Sequence, residues 1–307
     1  MRPGTVRALR AVELSVRDLA AASRFFTDAW RLEEEGRKDG IAYFRGASTL
    51  RWILSLRQGA RTEVARIVFD VASEADLEHL HGKVARWPGT EASAPDAVSA
   101  PGGGWGFEFN DSEGRRYLAV TGIADHASPL PDADRPRKIS HVNLNSADSA
   151  ASSAFLCEVL GFRISDQTRK MQFLRCSADH HSVVLAFAKH ATLNHIAFEM
   201  ADLESLMRGI GRLRDHGYTI EWGPGRHGPG NNAFAYFVGP EDLPLEYTAE
   251  MQQCDDSYIS RPVESWTWPP GRLDHWGLTP GPSARFEATQ SAVGFSSADQ
   301  PGDGAGS

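Results

Sequence analysis

The chain has 307 residues, of which 41% are hydrophobic and 23% charged, a globular composition with room for about two domains. Its 40 acidic and 32 basic side chains leave a net charge of −8 and form no long basic run, which argues against a nucleic-acid partner. No stretch approaches the ~18 consecutive apolar residues of a membrane span, so we expect no membrane partner either.

The cysteine content indicates the cellular compartment. Cys157, Cys176 and Cys254 are an odd number at wide spacings, which favours neither a disulfide framework nor a zinc knuckle. No apolar signal core follows the N-terminal segment MRPGTVRALR. We therefore expect a cytoplasmic protein.

An internal repeat divides the chain. One matching pair is 10–26 (RAVELSVRDLAAASRFF) and 140–156 (SHVNLNSADSAASSAFL), each an alternating apolar strand followed by a capped helix. A second pair is 65–80 and 194–209, each a short apolar strand leading into a helix. The repeat predicts two halves with similar folds.

A third, weaker pair, 105–120 and 234–247, predicts two strands around a polar turn in each half. After Glu250 the chain becomes rich in tryptophan, and these side chains need an apolar surface to cover, such as a pocket mouth. We predict five parts: a first module pair (1–125), a linker (126–138), a second module pair (139–250), a lid (251–293) and a disordered tail (294–307).

The two copies differ chemically at three aligned strand positions. The pairs, first copy before second, are Ala11 and His141, Arg66 and His195, and Leu118 and Glu246. Two neutral imidazoles and a carboxylate leave up to three coordination positions open, which suits non-haem Fe(II) handling dioxygen and a chelating substrate. A lone strand histidine is usually a core or surface residue, so a single histidine would predict nothing. The three residues together predict a metal site, and they predict it in the second half only.

The second half resembles a known family. The strands SHVNLN and NHIAFEM, the loop GPGRHGPGNNAFAYF, the sequence PLEY and the segment GRLDHWG are similar to the vicinal oxygen chelate superfamily and, within it, to type I extradiol catechol dioxygenases. The likeness spans roughly residues 8–290 and looks closest to homoprotocatechuate 2,3-dioxygenase-like enzymes. It implies an α+β fold of two tandem pairs of βαβββ modules, each pair forming an open barrel, with a C-terminal lid.

The resemblance also implies an activity. Such enzymes insert both atoms of dioxygen into a catecholic ring next to the diol, in aromatic hydrocarbon catabolism, with Fe(II) or alternatively Mn(II) as cofactor. We therefore expect a small-molecule catechol and dioxygen as partners, and a homo-oligomer. Two alternatives remain: another metal-dependent enzyme of the superfamily, such as an isomerase or lyase, and a metal-free ligand-binding protein.

Roles for single residues follow from the same resemblance. The implied metal ligands are His141, His195 and Glu246. His227 lies nine residues before Tyr236, which lies ten before Glu246, and the resemblance implies that His227 and Tyr236 hydrogen-bond the substrate oxygens. Asn143 resembles an asparagine beside the dioxygen site.

The implied acid-base catalyst is His181. Its neighbour His180 is the alternative, because strand periodicity places one of the two in the pocket without saying which. The apolar run SVVLAF, which follows His181 as in the family, favours His181.

The substrate-binding positions depart from those of relatives that hold a carboxylate chain. Where such relatives place arginines, this chain has Trp222 and Leu273, with Arg226 and Arg272 nearby. An apolar pocket cannot satisfy a buried carboxylate, whose unpaired burial costs several kcal/mol. We therefore expect a catechol with a neutral or aryl substituent.

Overall fold

The computed structural model describes residues 4–132 and 134–297. Each half of the chain contributes one mixed β-sheet. The elements of the first half are β1 (Val6–Val16), α1 (Leu19–Arg24), β2 (Glu33–Lys38), β3 (Ile41–Arg45), β4 (Leu54–Gln58), β5 (Glu63–Val71), α2 (Glu74–Val84), β6 (Asp96–Ala97), β7 (Trp105–Asn110) and β8 (Arg116–Thr121).

The second half repeats this series and adds a C-terminal extension. Its elements are β9 (Lys138–Ser146), α3 (Ser149–Ala154), β10 (Arg163–Gln167), β11 (Met171–Arg175), β12 (Val183–Phe187), β13 (Thr192–Glu199), α4 (Leu203–Asp215), β14 (Trp222–Arg226), β15 (Ala233–Val238), β16 (Pro244–Ala249), α5 (Ala284–Thr289) and β17 (Gly294–Phe295).

Each half contains the series strand, helix and three strands twice. The strand order is β2-β3-β4-β1-β5-β8-β7-β6 in the first sheet and β10-β11-β12-β9-β13-β16-β15-β14 in the second. In both sheets the first strands of the two modules pair antiparallel at the centre, β1 with β5 and β9 with β13. The predicted α+β fold of tandem βαβββ module pairs is confirmed.

The repeated helices begin at equivalent capping residues. The Asp18 carboxylate accepts from the Ala21 amide at 2.9 Å, and Asp148 accepts from Ala151 at 3.0 Å. Each helix continues into a five-residue π-helical turn, Phe25–Ala29 and Phe155–Val159, which directs its aromatic side chains into the core.

Contacts between the halves join their helices and turns. Trp30 of the first half stacks on Tyr247 of the second, with ring centroids 4.0 Å apart. The Glu113 carboxylate accepts from the Ala147 and Asp148 amides, at the start of α3. Glu241 does the same at the start of α1, accepting from the Arg17 and Asp18 amides at 2.8 and 2.7 Å. The halves therefore cap each other's helices.

The C-terminal extension returns to the first half. Gly294–Phe295 pair in parallel with β5, and Phe295 packs against the core, so the prediction of a disordered tail was wrong for residues 294–297. The rest of that predicted tail, 298–307, lies outside the described residues. The other predicted boundaries stay predictions. Among the described helices, none has the length and apolar character needed to cross a membrane.

Candidate metal centre and active site

Three adjacent strands of the second sheet bring the predicted metal ligands together. His141 lies on β9, His195 on β13 and Glu246 on β16, and Ala197 pairs with both His141 and Glu246 across the sheet. The Nε2 atoms of the histidines are 3.3 Å apart, and Glu246 Oε2 lies 3.2 Å from that of His141 and 3.0 Å from that of His195. All three side chains are buried.

The donor set fits a divalent cation. Both carboxylate oxygens of Glu246 are buried without a hydrogen-bond partner, and the side chain has no exposed surface. An isolated buried carboxylate is costly, and two imidazole nitrogens at this distance repel each other when both present lone pairs. A cation bound by His141, His195 and Glu246 satisfies all three, because two imidazoles and a carboxylate suit Fe(II) and related metals.

Hydrogen bonds behind His195 orient its ring. His195 Nδ1 lies 2.9 Å from Asn194 Oδ1, and Asn194 Oδ1 also accepts from Gln290 Nε2 at 2.8 Å. The amide oxygen can only accept, so His195 carries its proton on Nδ1 and directs the Nε2 lone pair at the site. Sequence reasoning missed Asn194 and Gln290, although a polar residue beside a ligand in the buried strand NHIAF was an available signal.

The structure places His181, rather than His180, beside the ligands. Its ring centroid lies 4.4 Å from that of His141. Burial, followed by the neighbouring histidines, holds the pKa of His181 well below its ordinary value, so the ring is neutral near pH 7. Gly230, at φ +81°, leaves the room this ring needs, because a Cβ there would lie 2.8 Å from His181 Cε1.

Tyr236 and His227 form a pair beside the metal ligands. The Tyr236 hydroxyl lies 2.9 Å from His227 Nε2, which lies 3.9 Å from Glu246 Oε1. Burial lowers the pKa of His227 to about 4 and raises that of Tyr236 well above its ordinary value. Near pH 7 both are neutral, so the phenol donates to the imidazole or to a substrate oxygen.

The predicted substrate-side residues occupy three environments. Asn143 is buried opposite His195 on the paired strand, and its Oδ1 has no hydrogen-bond partner. Trp222 stacks on Tyr236, with ring centroids 5.2 Å apart and planes at 10°. Leu273 is 56% exposed, and the structure does not bring it into the cluster.

Arg226 is already paired. Its Nη1 donates to Glu250 at 2.6 Å, and its guanidinium lies 5.8 Å from the Trp276 ring centroid. Glu250 therefore neutralises the positive charge of Arg226, which a substrate carboxylate would need as its partner.

Aromatic side chains of the C-terminal segment lie close to the His227 and Tyr236 pair. Trp266 and Trp268 approach Gly228, since a Cβ on that glycine would lie 2.7 Å from Trp268 and 3.3 Å from Trp266. Phe286 of α5 lies 5.0 Å from Tyr236. The expected lid role stays a prediction, but these aromatic rings are next to the site.

The equivalent place in the first half is filled. Arg66 forms ion pairs with Glu13 and Glu108, while Ala11 and Leu118 are buried among apolar side chains. Within residues 4–132 and 134–297, the His, Cys, Asp and Glu side chains form one group with metal-binding geometry, that of the second half.

Known relatives share this architecture. The profile of the Glyoxalase/Bleomycin resistance protein/Dioxygenase superfamily matches residues 138–247. Metapyrocatechase 2 of Cupriavidus necator is 27% identical over 273 residues, which cover 80% of this chain and 82% of that protein. Biphenyl-2,3-diol 1,2-dioxygenase of Metapseudomonas furukawaii is 26% identical over 290 residues, which cover 83% and 90%.

Solved structures extend the comparison. A homoprotocatechuate 2,3-dioxygenase variant from B. fuscum has the same fold, with a TM-score of 0.75, 19% identity and coverage of 84% of this chain and 75% of that one. The Mn(II)-bound glyoxalase from Novosphingobium aromaticivorans is 32% identical, with a TM-score of 0.84 and coverage of 92% and 94%. The superfamily predicted from the sequence is confirmed, and this chain belongs to the Glyoxalase/Bleomycin resistance protein/Dioxygenase superfamily.

Proposed function

We propose that this protein is a metal-dependent extradiol dioxygenase, which inserts both atoms of dioxygen into a catechol next to its diol. The observation that carries the proposal is the buried His141, His195 and Glu246 centre with a neutral histidine on one side and a histidine–tyrosine pair on another. The dioxygenase names of two relatives aligned over most of both chains support it.

When bound, Fe(II) or Mn(II) would supply Lewis acidity and open coordination positions for a chelating catechol and for dioxygen. Both metals accept these nitrogen and oxygen donors, and the Mn(II)-bound relative supports the second. His141, His195 and Glu246 hold the metal in the proposal.

The surrounding side chains supply binding and proton transfer. His181, neutral and shielded from water, takes a proton from a substrate hydroxyl and returns it later in the reaction. Tyr236 and His227 hydrogen-bond a substrate oxygen, and Asn143 Oδ1 is available to a ligand beside His195. Because these groups lie in a buried site, their hydrogen bonds are stronger than in water.

The proposed substrate is a catechol with an apolar or aryl substituent. Trp222, Trp266, Trp268 and Phe286 give the neighbourhood of the Tyr236 and His227 pair an aromatic character. Arg226 already forms an ion pair with Glu250 and is not free to bind a substrate carboxylate. The biphenyl-2,3-diol named for one relative is a substrate of this kind.

A second candidate is a metal-dependent reaction that does not use dioxygen, such as an isomerisation or lyase reaction. The relative named a glyoxalase, 32% identical, favours it. The third reading, a metal-free binding protein, leaves the buried Glu246 carboxylate without a partner, so we do not favour it.

The cellular setting belongs to the proposal as well. Three free cysteines support a reducing, cytoplasmic location. The expected homo-oligomer stays a prediction.

A panel of catechols tests the proposal. Protein loaded with Fe(II) or Mn(II) should turn over a 3-aryl or 3-alkyl catechol to a yellow ring-opened product in air and leave it unchanged under argon. Turnover of a substrate at the same rate without dioxygen would favour the second candidate instead.

A further inference from the structure

A chain of buried hydrogen bonds leads from His181 away from the metal ligands. His181 Nδ1 lies 3.0 Å from His180 Nδ1, and His180 Nε2 lies 2.8 Å from Asp166 Oδ2. Asp166 and His180 have no exposed surface, and His181 is 2% exposed. The roles assigned above use neither Asp166 nor His180.

Asp166 is the acceptor at the end of this chain. The Tyr258 hydroxyl donates to its Oδ2 at 2.7 Å, and the Arg261 amide donates to Oδ1 at 2.8 Å. Burial acts to raise the pKa of Asp166, but the hydrogen bonds from His180, Tyr258 and Arg261 outweigh it and lower the pKa. An ionised carboxylate only accepts, so His180 carries a proton on Nε2.

The direction of the remaining hydrogen bond follows. A neutral His180 with its proton on Nε2 presents a lone pair on Nδ1 toward His181. His181 must then donate from its own Nδ1, which leaves the lone pair of His181 on Nε2. That nitrogen is the one free to meet a reacting group.

We propose that Asp166 and His180 are positioning residues, which hold His181 in the tautomer whose Nε2 accepts the substrate proton. The inference rests on the proposed function for the role of His181, but the tautomer itself follows from the hydrogen bonds. Tyr258 and Arg261 belong to the C-terminal segment, so that segment also orders the carboxylate at the far end of the chain.

Three variants test whether Asp166 and His180 position the His181 ring or only fill space in the core. His180→Phe removes both hydrogen bonds, whereas His180→Gln can donate to Asp166 from its amide nitrogen and accept from His181 with its amide oxygen. Asp166→Asn can donate to His180 Nε2 and so reverse the direction of the whole chain. We expect His180→Phe and Asp166→Asn to lower kcat at least ~10-fold, a part of the ~10²–10⁴ that a positioned acid-base group contributes. KM and metal content should stay unchanged, and His180→Gln should recover most of kcat.

A role in packing alone gives a different result. The folded fraction of each variant would then keep the wild-type kcat, and His180→Gln would show no advantage over His180→Phe. That result would overturn the proposal. If Asp166→Asn does not fold, the two His180 variants still decide it.

Nitrogen NMR of the imidazoles gives a test that needs no turnover. With histidine labelled by ¹⁵N and diamagnetic Zn(II) bound, His181 should show a protonated Nδ1 and an unprotonated Nε2, and Asp166→Asn should exchange the two. An unprotonated Nδ1 on wild-type His181 would overturn the proposal. Because no catechol is involved, this readout is independent of whether the protein cleaves one.

Discussion

Glu246 shows at the scale of single residues why the second half needs a cation. Its carboxylate lies at hydrogen-bonding distance from the Nε2 atoms of His141 and His195. His195 Nε2 does not donate to it, because burial lowers the pKa of His195 and the ring carries its proton on Nδ1, toward Asn194. Burial acts to raise the pKa of Glu246, but His141 and His195 lower it, so the side chain is a carboxylate at neutral pH. A divalent cation offsets a burial cost of several kcal/mol.

Removing one imidazole tests this reading. We expect His195→Ala to lose nearly all bound metal after dialysis, because a two-ligand site holds it weakly. Metal analysis of purified protein measures this, and His190→Ala, at an exposed turn residue, is the matched control. Full metal occupancy in His195→Ala would show that the ligands are misassigned.

His181 separates metal binding from proton transfer. We expect His181→Phe to keep its metal and to lose ~10²–10⁴ in kcat, the usual contribution of a general acid-base group. Steady-state kinetics with metal-loaded protein measures the loss, with exposed His190→Phe as the control. Near wild-type kcat in His181→Phe would exclude it as the acid-base.

Among the elements, the proposed function assigns the choice of catechol substituent to β14 and the C-terminal segment. Burying an aryl ring stabilises the bound substrate by ~1.5–3 kcal/mol. The kcat/KM of the protein should therefore be at least ~10-fold higher for an aryl catechol than for 3,4-dihydroxyphenylacetate. Trp222→Arg should narrow or reverse that ratio. Leu273→Arg is the control, because this exposed side chain lies outside the cluster. A wild-type preference for the acid would contradict the substrate proposal and point to Arg226 or Arg272.

The sequence predicted some elements better than others, for physical reasons. In β1 and β9 apolar residues that are buried in the structure alternate with other residues, and this alternation made the repeat recognisable in the sequence. β2 has the sequence EEEGRK and is an exposed edge strand, which no apolar pattern marks. Tyr258 reaches Asp166 across 92 residues of sequence, and local patterns carry no information about such a contact.

The position of Leu273 could not be predicted from local sequence patterns either. It lies in an irregular segment, where neither period 2 nor period 3.6 fixes the direction of a side chain. The metal ligands could be predicted because each lies on a regular strand with an aligned copy in the first half. The resemblance to known dioxygenases then supplied the roles that residue patterns alone left open.

Across the whole molecule, two carboxylates accept hydrogen bonds from the opposite half, in addition to the stacking of Trp30 on Tyr247. Glu113 caps α3 across the boundary and Glu241 caps α1 in return. Burial acts to raise the pKa of Glu113, but Arg115 and the Ser146 and Ser152 hydroxyls outweigh it and lower the pKa to about 2. The folded state therefore prefers the ionised form of this side chain.

This preference predicts a pH-dependent stability. Because the folded pKa lies below the ordinary 4.5, the stabilisation is complete above about pH 5 and is lost as the pH falls toward 2. We expect Glu113→Gln to lower the free energy of unfolding by ~1–3 kcal/mol at pH 7 and to flatten its acid dependence. Urea unfolding between pH 7 and pH 3 measures both, with exposed Glu78→Gln as the control. Equal acid dependence in wild type and Glu113→Gln would refute the cap's role.

Oxygen uptake distinguishes ring cleavage by dioxygen from the reactions that need none. An oxygen electrode, read beside the absorbance of the ring-opened product, gives the number of dioxygen molecules consumed per catechol by the Fe(II)-loaded protein. We expect one dioxygen for each 3-phenylcatechol opened, and no uptake above background with His195→Ala. A metal-replete wild-type protein that consumes no dioxygen with any catechol of the panel would contradict the proposed function.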